Sequence, residues 1–227
     1  MDTSTLLLLA DGRFPSGGHA HSGGLEAAVA AGRVTGIAEL ESFLRGRLAT
    51  AGPVAAAFAA ASTLAVAEPT DTRAALALLD AELDARTPSP ALRLSSRRQG
   101  RALLRAGRTA WPSKAYDGLP GHPDGCHQPI AAGVTAAAAG LTAEHSALIG
   151  AYGTVTGAAS AGVRLLGLDP YQVQAVLARL ARACDDVATA AAADAHKPPA
   201  DLPATTAPLA DIHAETHATW EVRLFAS

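Results

Sequence analysis

Apolar positions recur through most of the chain with the three-to-four-residue step of helices buried on one side. The clearest run follows Asp169-Pro170, a cap residue and a first-turn proline. Beyond it Val173, Val176, Leu177, Leu180, Cys184 and Val187 share one face. Earlier, Thr35 is placed to cap a helix whose Ile37, Leu40, Phe43, Leu44 and Leu48 form a stripe, with Glu39, Glu41 and Arg45 off it. Pro53 then suits the first turn of another helix, reaching about Ala67. Thr70 opens a further one, with Leu76, Leu79 and Leu83 in line. Shorter helices are expected over Leu6–Ala10 and over Leu25–Ala31, the latter capped by Ser22 and ended by Gly32. Two more run from Pro129 to about Gly140 and from Thr142 to Gly167, and a last short piece covers Leu209–Trp220. No stretch alternates with the period of two that a strand needs. The pattern predicts an all-α, single-domain helical bundle of about eight to ten helices spanning residues 1–227.

Gly and Pro mark the breaks. Asp11–Gly24 is glycine-rich, and Trp111–Pro129 reads as a long loop, flexible near 112–128. Pro198, Pro199, Pro203 and Pro208 set off a tail near 198–227. Gly153, Gly157 and Gly162 lie within a helical pattern, where they cost stability but allow close approach of a neighbouring helix or a second copy.

Composition agrees with a helical core. Of 227 residues 49% are hydrophobic and 17% charged, and alanine, the best helix former, predominates. That excludes a disordered chain. Net charge is −3 and the isoelectric point about 6.2, so a nucleic-acid partner has no support. Two cysteines make no disulfide framework, and a reducing cytoplasm fits. Leu48–Ala67 is long and uncharged, but its alanines, Pro53, Thr50, Ser62 and Thr63 make it a buried helix rather than a membrane span.

A catalytic set is hard to assemble. Lys114 and Lys197 are the only lysines, and neither follows a phosphate-loop glycine pattern. No nucleophile elbow is present. His213 and His217 sit four apart, the spacing of a two-histidine metal face, and His19, His21 and Cys126-His127 are further ligand types. No third ligand accompanies them in the sequence, so no metal site is assigned. Arg93, Arg97, Arg98, Arg101, Arg105 and Arg108 crowd one helical segment. They read as a solvated stripe or as a surface for an acidic protein partner.

Four segments, in order, narrow this further: LLLLADGRFPSGGHAHSGGLEAAVAAGRV (6–34), SSRRQGRALLRAG (95–107), HQPIAAGVTAAAAGL (127–141), and AASAGVRLLGLDPYQVQAVLARL with the tail PLADIHAETHATWEVRLFAS. Together they resemble the UreF family of urease accessory proteins across nearly the whole chain. His19 and His21 stand where that family often has aromatic residues, and Ala214-Glu215-Thr216-His217 where it has His-Glu-Thr. The resemblance implies a cytoplasmic, non-enzymatic chaperone for nickel insertion into apo-urease, all-helical and homodimeric, without a cofactor. The implied partners are UreD (also called UreH), the GTPase UreG and apo-urease, with no membrane involved. Residues expected on the UreG side are Phe14, Pro15, Gly17, Gly18, His19, Ser22, Gly24, Leu25, Glu26, Arg97, Gln99 and Gly100. On the UreD side they are His213, Glu215, Arg223, Leu224, Phe225 and Ser227. Two alternatives stay open: a direct nickel carrier using His19, His21, His213 or His217, and a GTPase activator with an arginine finger from Arg97 to Arg108.

Overall fold

A computed structural model describes residues 3–67 and 71–227. Among them the chain forms nine α-helices and no strand: α1 Thr3–Ala10, α2 Leu25–Ala30, α3 Ile37–Ala67, α4 Thr72–Ala85, α5 Pro90–Ala110, α6 Gln128–Ala138, α7 Ala143–Leu166, α8 Pro170–Asp194 and α9 Pro208–Ala218. Several starts follow from local chemistry. The side chains of Asp71, Ser89 and Asp169 accept from the backbone N–H groups of Ala74, Leu92 and Tyr171, satisfying donors that a helix start leaves free. Thr142 and His145 form a reciprocal capping box. The expected start at Thr70 lies outside the described residues.

α3 is the axis of the bundle, with α6, α7 and α8 packed around it. Phe58, Leu40 and Leu44 of α3 are fully buried, as are Ile130, Val134, Val155, Val173, Val176 and Leu180 from its neighbours. α3 has the length and composition of a membrane span, and half of its most apolar window is buried inside the fold.

One expectation is corrected. Pro53 does not begin a helix: α3 runs through it for 31 residues. An interior proline removes one N–H and crowds the carbonyl four residues back, yet burial of Ala56–Ala61 holds the second half in line with the first. The Thr205 hydroxyl donates to the Thr50 carbonyl beside this site. The tightest helix approaches fall at two further glycines. A Cβ at Gly133 would lie 2.2 Å from the Ala59 carbonyl oxygen, and one at Gly150 2.9 Å from that of Ala55. Of the three glycines named from the sequence, Gly162 packs on Leu40, whereas Gly153 faces open space and Gly157 has nothing nearer than 4.0 Å.

Segment 111–129 contains a 3-10 turn over Lys114–Gly118. Tyr116 anchors it at one end and Cys126 and His127 at the other, all three buried, with Gly121–Asp124 exposed between them.

Candidate functional site

The first loop and the last residues of the chain form one joint. Ser22 lies just before α2, and its backbone N–H and hydroxyl both donate to the Ser227 carbonyl, at 2.6 and 2.8 Å. The same hydroxyl accepts from the Glu26 N–H at 3.2 Å, close to the capping role expected of Ser22. Glu26, in the first turn of α2, turns its carboxylate toward the tail. One oxygen accepts from the Leu224 N–H at 2.7 Å; the other accepts from the Phe225 N–H at 3.0 Å and meets His217 Nε2 at 2.8 Å. Burial by itself would raise the Glu26 carboxyl. The two backbone N–H groups and His217 outweigh it and hold the group below its ordinary value. A carboxylate this buried is stable only with such partners.

The joint has an apolar half too. Phe225 is 3% exposed and lies under the Arg164 guanidinium, 4.3 Å from the ring centre. Ala226 N–H donates to the Ala20 carbonyl at 2.7 Å. His21 Nδ1 lies 2.7 Å from the Ser227 hydroxyl and 3.1 Å from that of Ser95 on α5. Burial, with Arg98 and His19 nearby, lowers the His21 pKa to about 4.

A second joint binds α4, α5 and the end of the long loop. Arg97, 2% exposed, bridges Asp80 at 2.9 Å and Asp84 at 2.8 Å and donates to the Gly125 carbonyl at 2.6 Å. His127 Nε2 meets Asp84 at 2.8 Å, and the His127 backbone N–H donates to Asp80 at 3.1 Å. Ser96 closes the ring, 3.0 Å from His127 Nδ1 and accepting from the Gln128 N–H at 3.1 Å. Burial pushes the His127 pKa down against the pull of Asp84. Gly100 is required here: a Cβ would lie 2.0 Å from the Cys126 carbonyl oxygen. Arg97 therefore belongs inside, not on the exposed stripe expected of the α5 arginines.

The remaining named residues sort around these joints. Phe14 is buried and stacks on Trp111 at 5.7 Å, and Leu25 is fully buried. Pro15 and His19 are exposed, with Gly18 and His19 in a 3-10 turn. Gly17 and Gly24 adopt positive φ of 78° and 90°, conformations open to glycine. Gln99 reaches back to Ser95 at 3.3 Å. Glu215 accepts from the Ser89 hydroxyl and from the Ala91 N–H, tying α9 to the start of α5 and lowering its own pKa. His213 is half-buried; Arg223 and Leu224 are exposed. Residues expected to meet two different partners thus converge: Ser22 and Glu26 hold Leu224, Phe225 and Ser227. Arg97 and Gly100 lie in the other joint. Among the described residues, no group of three His, Cys, Asp or Glu side chains is placed to hold a metal ion.

Sequence reasoning missed Arg164, Ser95, Asp80 and Asp84. The last two stand four apart on α4, one helical face, which was a signal for a shared cation. Nothing local marks Arg164 or Ser95.

The comparisons follow this geometry. The UreF family model matches residues 34–181, the body of the bundle with the Arg97 joint. A urease accessory protein UreF of Mycobacterium sp. (strain JLS) is 48% identical over 227 residues, covering 99% of this chain and 98% of its own. One from Mycolicibacterium vanbaalenii is 46% identical, with 99% and 98% covered. One from Mycobacterium tuberculosis H37Ra is 44% identical, with 94% and 93% covered. With similarity running over both joints and the helices between them, the chain belongs to the UreF family.

Proposed function

We propose that this protein is a non-enzymatic maturation factor for urease, a cytoplasmic scaffold that bridges UreD (UreH) and the GTPase UreG to apo-urease during nickel insertion and regulates UreG. The observation that carries this reading is the joint at Glu26. A surface expected to meet UreG and a tail expected to meet UreD are built on the same carboxylate, so binding at one alters the other. A homodimer fits the open face of α7, where Gly153 has no neighbour within 4 Å. Exposed Leu7, Leu8, Ile212, Val222 and Leu224 add apolar surface for association.

Co-expression with UreD, UreG and apo-urease, followed by pull-down and urease assay, tests the scaffold. Glu26→Ala is expected to keep the helical circular-dichroism spectrum and to lower urease activation; full activation by the variant contradicts the reading. Deleting 221–227 is expected to abolish co-purification of UreD. If UreD still co-purifies, the tail acts only in packing. The direct nickel carrier predicts a tight stoichiometric site in calorimetric titration, and the scaffold predicts none. The GTPase activator predicts faster GTP hydrolysis by UreG with this protein alone. Its finger would come from the exposed Arg98, Arg101, Arg105 or Arg108, since Arg97 is held in two ion pairs.

A further inference from the structure

The α5 helix carries six arginines and no acidic residue, in a chain whose net charge is −3. The structure divides them. Arg97 is buried against Asp80 and Asp84, Arg93 is turned to the carbonyls of Thr87 and Pro88, Arg101 donates to the Asp124 carbonyl, and Arg108 lies over the Tyr116 ring. Arg98 and Arg105 are left exposed, and neither side chain makes an ion pair or hydrogen bond among the described residues. They stand seven apart, two turns along one face of α5. The same face continues toward the helix start through Leu94 and Ala91.

There it enters a recess of about 160 Å³ between α5, α9 and the tail. Leu92, Leu94 and Ala218 line its apolar side, and Arg98, Arg223 and His213 its polar side. No Asp or Glu side chain lines it; His217 and Ser227 of the Glu26 joint do. Arg223, like Arg98, is exposed and has no acidic partner among the described residues. Two unpaired guanidinium groups at the mouth of a small apolar hollow form a site short of negative charge. Its size suits one or two side chains, well below that of a cofactor pocket.

We infer that this recess, with Arg98 and Arg223 at its mouth and Arg105 further along α5, is a docking site for an acidic protein segment that inserts an apolar side chain beside a carboxylate. Charge complementarity selects the occupant: arginine forks pair with carboxylates, and the apolar hollow rewards a neighbouring Leu or Phe. A nucleic acid is disfavoured, because the whole molecule is weakly negative and the cations end in a hollow rather than a long groove. The inference rests on the scaffold reading only in expecting a protein partner; the site itself is defined by α5, α9 and the tail.

A random dodecapeptide display library, panned against the full chain and counter-selected against Arg98→Glu, tests it. Arg98 is exposed and makes no ion pair or hydrogen bond among the described residues. Since its charge bears on His21, Arg98→Gln is tested beside Arg98→Glu, and circular dichroism and the urea midpoint check that both variants keep the fold. The expected result is enrichment of peptides with Asp or Glu within two positions of a large apolar residue. The best such peptide, made synthetically, should bind wild type saturably. Its affinity should fall tenfold or more in Arg98→Glu, severalfold in Arg105→Glu, and also with added salt. It should be unchanged in Arg45→Glu, an exposed arginine of α3. Enrichment without acidic residues, or equal binding to Arg98→Glu, overturns the proposal, as does single-stranded DNA competing for the site as strongly as the peptide. Urease activation by Arg98→Glu in the co-expression assay separates the two claims. Lost peptide binding with full activation leaves the docking site standing and removes it from urease assembly. Lost activation with unchanged peptide binding refutes the docking site and leaves the scaffold standing.

Discussion

The Glu26 and Arg97 joints use the same parts and differ in strength. Each sets a carboxylate against a histidine Nε2 at 2.8 Å and takes up backbone N–H of a segment distant in sequence, two on Glu26 itself in one joint and one on Asp80, beside Asp84, in the other. The Arg97 joint adds a buried guanidinium between two carboxylates and a glycine that lets backbone touch backbone. The Glu26 joint has no guanidinium or ammonium on its carboxylate, only the His217 imidazole, and it holds a segment whose other side, Val222 to Leu224, faces solvent. One motif thus serves as a lock where a buried guanidinium is paired with buried Asp80 and half-buried Asp84, and as a rim contact where the held segment stays partly exposed. The lock fixes the long loop to the bundle; the contact joins the chain's two expected partner surfaces.

Breaking the lock should have the largest effect. Arg97→Met leaves Asp80 and Asp84 without their cation, and removing one member of a buried ion pair costs about 3–5 kcal/mol. Urea unfolding should show a midpoint far below wild type. Gly100→Ala should follow at about 1–3 kcal/mol, since the added methyl meets the Cys126 carbonyl and the loop must shift. Glu26→Ala removes the acceptor for two N–H groups and for His217, a smaller global loss of about 1–2 kcal/mol in the same assay. Its main result should be local: rapid proteolysis after Arg223 with the bundle intact.

Acidification loads both joints with the least perturbation, since each contains a histidine that burial holds below its ordinary value. His21 has a folded pKa near 4 against 6.5 when free, so the folded joint binds fewer protons than the open one in that window. Its contribution is complete above pH 6.5 and is lost as pH falls toward about 4. Glu26 is held below its ordinary 4.5, so its contribution persists above that value and is lost only as pH falls through the lowered one. Tail protection against protease should therefore weaken first between pH 6.5 and 4 and then further below. The long loop, whose His127 is also held below its ordinary value, should loosen in the same direction as pH falls, as read by protease cleavage within 119–128.

The helices were legible because their signals are local. Asp169-Pro170 and Thr142 announce starts whose free N–H groups the cap side chains themselves satisfy. Pro53 misled because its local preference is overruled by burial of the following turns. The joints were legible only as residue types. Glu26 and His217 are 191 positions apart, and nothing in either segment states which carboxylate faces which imidazole. Arg97 and Arg98 look alike in the stripe, and only the packing of α4 against α5 decides that the first is buried and the second free. The resemblance carried the first loop and the tail as functional segments, and the fold adds that they are one place.

The most direct measurement is hydrogen–deuterium exchange of the full chain, wild type against Glu26→Ala, followed in the peptides covering 221–227 and 119–128. The account predicts that Leu224 and Phe225 are protected in wild type and exchange freely in the variant, while 119–128 is unchanged. Equal protection of the tail in both proteins would contradict it, as would loss of protection in both segments together.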